Sequence, residues 1–482
     1  MKTTAQWFSP LMIAGLIIAG ACATNPVTGK KNLMLISEQQ EIQMGKEADP
    51  QIVAAFGLYP DNDLQRFINE KGQQMAKISH RPNLDYEFKI LDSPVVNAFA
   101  VPGGYVYFTR GIMASFNNEA EFAGVLGHEI GHITARHSAR QQSKQILYQA
   151  GFIVGLVVSP EFAQFGDVAQ QGLGLLFLKF GRDHESESDG LGVEYSTRIG
   201  YDAHKMADFF ATLKRMGSQS GSSVPTFLST HPDPGNRYNK VHELATAEQA
   251  SLDKSKLKVN RDAYLRMIDG MVYGEDPRQG FFENNNFYHP ELKFQFPVPS
   301  NWATQNSPQD VRMAPQNGKA LMIFAFAQGN SLDAAAQTVV QENQLTVLDS
   351  KRQTVNGFQS LIVLAQQVNP QSPQQVLMVL TYFIQDGQTI YKFHGLAMQN
   401  DYNAYSSYFT NTMNGFRRLT DQSKLNRQPE RLRVATVPHG GTVQAAFQAL
   451  KVPSNRMEEF AILNSVNLKD QVKAGTLIKV LK

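Results

Sequence analysis

From Glu38 to Ile78 the apolar residues recur at helical spacing, with Ile42, Met44, Ile52, Phe56, Leu64, Phe67, Ile68 and Met75 as expected core contacts. The period then drops to two. "LDYEFKILDS" (84–93) alternates as a strand does, and "NAFAVPGGYVYFTRGIM" (97–113) predicts a strand, a Pro-Gly-Gly turn and the strand "YVYFT". A helical pattern resumes at Asn118, whose capping partner is Glu121, and is expected to run to about Gln142. "ILYQAGFIVGLVV" (146–158) is apolar but short for a membrane span and contains two glycines, so a buried helix or lid is expected. Helices are predicted over 182–199, stopping at Gly200, and over 203–216. "GSQSGSS" (217–223) reads as a flexible loop, and a further helix starts after Pro232 or Pro234.

The pattern changes near 270–290. The runs "ALMIFAFAQ", "SLIVLAQQV", "VLMVLTYFIQ" and "TIYKFHGLAM" alternate as strands, with helical stretches at 332–343 and 401–416. They predict a separate α+β domain over 285–420, without a catalytic cluster. Residues 421–431 read as a linker, and 432–482 as strand, helix, helix, strand.

A chain of 482 residues exceeds one ordinary core, in line with several domains. A net charge of +2 gives no case for nucleic acid as a partner. One cysteine, Cys22, excludes an internal disulfide and a thiolate metal cluster, so any metal must be held by His, Asp or Glu. The apolar run from Leu11 to Ala21 follows Lys2 and ends at Cys22, as an export signal over 1–21 does. It resembles a bacterial lipoprotein signal, which implies that Cys22 is acylated, that 22–36 is a tether and that the membrane is reached through a lipid anchor. Ala19 departs from the leucine usual at its position, and Ala19-Gly20-Ala21 also suits an ordinary signal peptidase. Ala23 after the cysteine implies the periplasmic face of the outer membrane; a freely periplasmic protein is the alternative.

The chemistry concentrates in "GVLGHEIGHITARH" (124–137). His128 and His132 lie one helical turn apart and can face one ion. Glu129 sits about 100° further round, placed as a general base rather than a ligand. Nitrogen and oxygen donors suit one zinc ion. "GRDHESESDGLGVEY" (181–195) offers a third ligand: Glu185 could bind the metal while Asp189 accepts the outer N–H of a ligating histidine. Gly124, Gly127 and Gly131 share one helical side and predict close approach of a neighbouring helix.

"HEIGH", "RDHESESDGLG", "GYD" and "STHPDPGNR" together resemble the gluzincin zinc metallopeptidases of the HtpX and CAAX-prenyl-protease type, in their soluble periplasmic BepA-like branch, over roughly residues 30–250. The resemblance implies a mainly α-helical, zincin-type α+β protease domain with a short sheet, placed at 37–270. His128, His132 and Glu185 would be the zinc ligands and Glu129 the catalytic base, leaving Glu187 on the surface. Asn97, Ala98, Phe99 and Ala100 would lie on the edge strand along which substrate pairs. His231 has two readings: an oxyanion stabiliser aided by Arg237, or a fourth ligand that leaves the enzyme latent. Arg237 could also pair with Asp189. His137 is expected to face outward or cap a neighbour, and His184 to be solvated.

Residues 432–482 resemble a LysM-like βααβ module in Gly440-Gly441-Thr442, Leu463-Asn464 and Ala474-Gly475-Thr476, which implies peptidoglycan as a partner. His439-Gly440-Gly441 departs from the usual Gly-Asp pair, and a docking or spacer module is the other reading. Residues 285–420 resemble the PsbP or Mog type of fold in "HPELKFQFPVPSNW". The expected function is a zinc endopeptidase of the bacterial envelope acting on misfolded or stalled proteins. The alternative is a chaperone or binding factor whose zinc is closed by His231.

Overall fold

Ser37 opens the first long helix with a reciprocal capping box to Gln40, and Asp61 caps the second. The computed structural model describes residues 22–148, 180–219, 226–231, 236–369 and 372–481. Within them, a hairpin of β1 (Cys22–Thr24) and β2 (Lys31–Leu33) precedes helices α1 (Glu38–Phe56) and α2 (Asn62–Ala76). The continuous helical spacing of 38–78 is therefore two helices, broken at Gly57, whose φ of 71° a side chain would resist. Ile42 faces solvent, 42% exposed, instead of joining the core.

The short sheet follows. β3 (Glu87–Leu91) runs parallel to β5 (Tyr105–Thr109), while β4 (Ala98–Val101) pairs antiparallel on the other side of β5 and forms the sheet's edge. After α3 (Arg110–Ser115) comes the wholly buried α4 (Glu119–Thr134), capped as expected by the Asn118 side chain on the amide of Glu121. It does not run on to Gln142. Arg136 takes φ 58°, its guanidinium held by Glu41 and the carbonyl of Ile36, and α5 (His137–Tyr148) starts afresh. α6 (Arg182–Arg198), α7 (His204–Gln219), α8 (Thr226–Thr230), α9 (Arg237–Glu248) and α10 (Arg261–Met267) complete this part. Glycine lets α4 and α6 touch backbone to backbone: a Cβ on Gly127 would stand 3.0 Å from the Cα of Gly192.

The alternating region forms a small sheet, β6 (Phe281–Glu283), β7 (Asn286–His289), β8 (Phe294–Pro297) and β16 (Arg417–Arg418). Beside it stands an antiparallel sheet ordered β12-β13-β14-β15-β11-β10-β9. Its strands are β9 (Trp302–Asn306), β10 (Asp310–Pro315), β11 (Ala320–Phe326), β12 (Thr346–Val355), β13 (Phe358–Asn369), β14 (Ser372–Asp386) and β15 (Thr389–Met398). α11 (Leu332–Glu342) packs one face and α12 (Gln399–Asn414) the other.

The chain then turns back. After a short helix, α13 (Gln422–Leu425), Gly270 and Leu432 bond each other's segments: the amide of Gly270 donates to Leu432 and that of Leu432 to Met271. β17 (Leu432–Thr436) pairs with β20 (Leu477–Leu481), enclosing α14 (Val443–Ala449), α15 (Met457–Leu463) and a minimal pair, β18 (Gly441–Thr442) with β19 (Gln471–Val472). Phe447, Phe460, Leu463 and Val480 share one hydrophobic core with Phe116, Phe122, Phe209 and Tyr264. The C-terminal unit is thus packed into the motif-bearing part, and the two-sheet unit is looped out between them.

Residues 1–21, expected to form an export signal, and the apolar stretch at 146–158 lie outside the described residues, except that the latter's first three positions close α5. Among the described residues, no helix is long and apolar enough to cross a membrane.

Candidate metal centre

α4 brings the rings of His128 and His132 together, their Nε2 atoms 3.0 Å apart. α6 lies against it at the glycine contact and delivers Glu185, whose carboxylate stands 3.6 Å from Nε2 of His128 and 3.5 Å from Nε2 of His132. His231, just past α8, places Nδ1 3.1 Å from Glu185 and 3.2 Å from His128. These four side chains are buried, and one ligand atom from each falls within 4.8 Å of all the others.

Asp189, one turn after Glu185, sits 3.0 Å from Nδ1 of His128. Arg237 holds it, with Nη2 at 2.6 Å and Nε at 2.8 Å, while its guanidinium lies over the ring of Phe210. Arg237 thus pairs with Asp189, and its Nη2 also stands 3.3 Å from the carboxylate of Glu185. Phe227 stacks on His231 and Phe180 on His132, fixing both ring planes.

The donor set fits a metal ion. If His128 donates through Nδ1 to Asp189, its Nε2 presents a lone pair toward His132, and such facing lone pairs in a buried site call for a cation. Both carboxylate oxygens of Glu129 are buried with no hydrogen-bond partner. Three imidazoles and a carboxylate, with no thiolate, suit zinc. Burial pushes His128 down to about 4 and holds His132 well below its ordinary value, so both rings are neutral and able to ligate. Burial alone would raise Glu185, but His231 and Arg237 outweigh it and hold the carboxylate ionised. Burial lifts Glu129 to about 7, against the pull of His231.

Asn97 to Ala100 do fall at the sheet edge, Asn97 just before β4 and the others within it. The carbonyl of Val96 there accepts from the amide of Phe227, so the segment leading to His231 covers the start of this edge.

Three expectations are corrected. His137 does not face outward: it is fully buried, 2.9 Å from His132 and 3.0 Å from Glu187. Glu187 is no free surface residue, since His137, Arg140 and Asn25 all reach it. Burial opposes its ionisation, yet the contact with His137 and the bond from Asn25 hold it down to about 2. His184 is 5% exposed and stacks on His137 at 4.3 Å. On an unbroken helix His137 would stand about 140° round from His132. The break at Arg136 turns it back, and nothing in the local sequence announces a positive φ at an arginine.

A His-Glu-x-x-His helix completed by a glutamate from a second helix defines a gluzincin-type metallopeptidase centre. Residues 62–245 match the model of Peptidase family M48. The chain is 30% identical over 263 residues to the beta-barrel assembly-enhancing protease of Yersinia pestis, covering 50% of this chain and 53% of that protein. It is 28% identical over 201 residues to the mitochondrial metalloendopeptidase OMA1 of Arabidopsis thaliana, covering 42% and 40%. The chain spans about half the length of these relatives. Among solved structures, cyanobacterial PsbP from Synechocystis aligns at 10% identity and a TM-score of 0.24, over 28% of this chain and 91% of that one.

Proposed function

We propose that the chain is a zinc endopeptidase of the bacterial envelope that cleaves misfolded or stalled proteins. The observation that carries this is Glu129, a buried carboxylate without a hydrogen bond, beside a converging set of three histidines and Glu185. His128, His132 and Glu185 would hold the ion. Zinc, when bound, supplies Lewis-acid polarisation of the scissile carbonyl and of water. Glu129 removes a proton as the water oxygen adds to the carbonyl carbon, then returns it to the amine as the C–N bond breaks. Asp189, braced by Arg237, keeps His128 in the tautomer that ligates. Substrate pairs in extended form along Asn97 to Ala100.

His231 acts as a fourth ligand that keeps the enzyme latent. Two observations favour this over oxyanion stabilisation: Nδ1 lies among the ligand atoms, and α8 covers the start of the substrate edge. Release of α8 would free both at once. Cys22 is the lipid attachment site on the periplasmic face of the outer membrane. Residues 37–270, 285–420 and 432–482 are taken as three units, the last two joined by a linker at 421–431. The core shared with the protease part supports a docking role for 432–482 over peptidoglycan binding.

The test measures zinc content and cleavage of an unfolded protein such as casein for the wild type, Glu129→Gln and His231→Ala. Glu129→Gln should keep one zinc and lose roughly 10²–10⁴-fold in cleavage. His231→Ala should cleave faster than the wild type. Slower cleavage by His231→Ala would restore the oxyanion role, and full activity in Glu129→Gln would reject the mechanism. If all three bind zinc and none cleaves, the chaperone or binding-factor reading prevails.

A further inference from the structure

His132 has its own support. If Nε2 of His132 faces the ion, Nδ1 carries the proton and must donate it. The atom it meets is Nδ1 of His137, 2.9 Å away. Accepting there obliges His137 to carry its proton on Nε2, which lies 3.0 Å from a carboxylate oxygen of Glu187. The run from ion to His132 to His137 to Glu187 therefore admits one consistent set of tautomers, with each N–H pointing away from the metal. Ser188, 3.3 Å from Nδ1 of His137, is the other polar group at that atom.

The chain of contacts is held rigidly. Phe180 lies flat against His132 at 4.1 Å, and His184 flat against His137 at 4.3 Å. Glu187 is fixed by Arg140 at 3.2 Å and by the side-chain Nδ2 of Asn25, which donates at 3.1 Å. Asn25 is itself buried and folds the turn after β1 by accepting from the amides of Val27 and Thr28. The two histidines of the motif helix thus each have a carboxylate behind them, Asp189 directly for His128 and Glu187 through a second imidazole for His132.

We propose that His137 and Glu187 are positioning residues for zinc binding, which fix the tautomer and ring orientation of His132. The proposal rests on the metal-site reading above. Removing the outer partner of a ligating histidine typically costs 10–100-fold in metal affinity. His137→Phe keeps the ring volume and removes both bonds. His137→Asn keeps an acceptor near the position of Nδ1 and loses only the link to Glu187. Glu187→Gln keeps an acceptor for His137 and loses the charge.

The experiment titrates the zinc-free full-length chain and these variants with zinc against a chromophoric chelator, and records thermal unfolding of the zinc-free forms. The expected result is zinc binding weakened 10–100-fold in His137→Phe. His137→Asn should recover at least half of that loss on a logarithmic scale, and Glu187→Gln should fall between the wild type and His137→Phe. Affinity in His137→Phe within twofold of the wild type would overturn the relay. So would His137→Asn binding as weakly as His137→Phe, or losses that merely follow the unfolding temperature of the zinc-free protein. Failure of the wild type to bind zinc would instead reject the metal site itself.

Discussion

His394, on β15, shows what burial does to one titratable group. It is 4% exposed, with Nδ1 2.9 Å from the hydroxyl of Thr381 on the neighbouring strand. Burial, with a smaller contribution from Lys392, pushes its pKa down to about 3. The unfolded chain binds a proton near the ordinary value of about 6.5, so below that pH it gains protons the folded state refuses. Stability is therefore full above pH 6.5 and is lost as pH falls toward 3, by about 2 kcal/mol between pH 6.5 and 5. Trp302 lies in the same unit and reports its unfolding in denaturant. His394→Asn should flatten this slope, and equal slopes in the two proteins would refute the assignment. Residues of this kind are visible in the sequence only as letters. His128 and His132 were legible because four positions on a helix fix their relation, whereas His394, His137 and Glu187 owe their state to neighbours far along the chain.

The helices meet where glycine allows it. A Cβ on Gly127 would lie 3.0 Å from both the Cα and the carbonyl oxygen of Gly192, and one on Gly192 2.9 Å from the carbonyl oxygen of Gly124. Gly127→Ala gains about 1 kcal/mol of helix propensity but overpacks the contact by roughly 1–3 kcal/mol. Because α6 carries Glu185, pushing it outward should also weaken zinc binding. The expected outcome is a lower unfolding midpoint together with lower zinc affinity; a stabilised variant with unchanged affinity would remove the close-packing account. The glycine spacing on α4 announced this approach in the sequence, and the period made β11, β13, β14 and β15 equally plain, whereas the long exposed strand β12 was not named from it. The break between α4 and α5 was not. It depends on Arg136 being held by Glu41, a contact set by how α1 docks.

Across the molecule, the C-terminal unit supports the centre from the far end of the motif helix. Lys479 is fully buried and donates to the carbonyls of Ala114, Ser115 and Phe116, just before the Asn118 cap. Ser465 meets both Asn117 and Thr212. Burial raises Glu121 and lowers Lys479, and the attraction between them opposes both effects. Lys479→Met should destabilise the protein by on the order of 1–3 kcal/mol for each polar group left unpaired. A chain ending at residue 428 exposes the apolar surface of Phe116, Tyr264 and Leu265, and is expected to lose cooperative unfolding and zinc affinity together. Cooperative unfolding of that truncated chain at the wild-type temperature would show the C-terminal unit to be a mere appendage. A linear reading of the sequence set out separate beads along a string, because composition and period change at 270–290 and again near 432. It had no access to the return of the chain at Gly270 and Leu432.

By itself the sequence determined whatever is local. A histidine pair one turn apart, a cap at Asn118, glycines on one side of α4 and the two-residue period of the strands all follow from backbone geometry over a few positions. The tertiary structure alone decided which distant groups complete those parts: His137 and Glu187 behind His132, and Lys479 beneath the start of α4. The physical reason is that each of these contacts is fixed by the packing of buried surfaces from separate segments, which no spacing along the chain encodes.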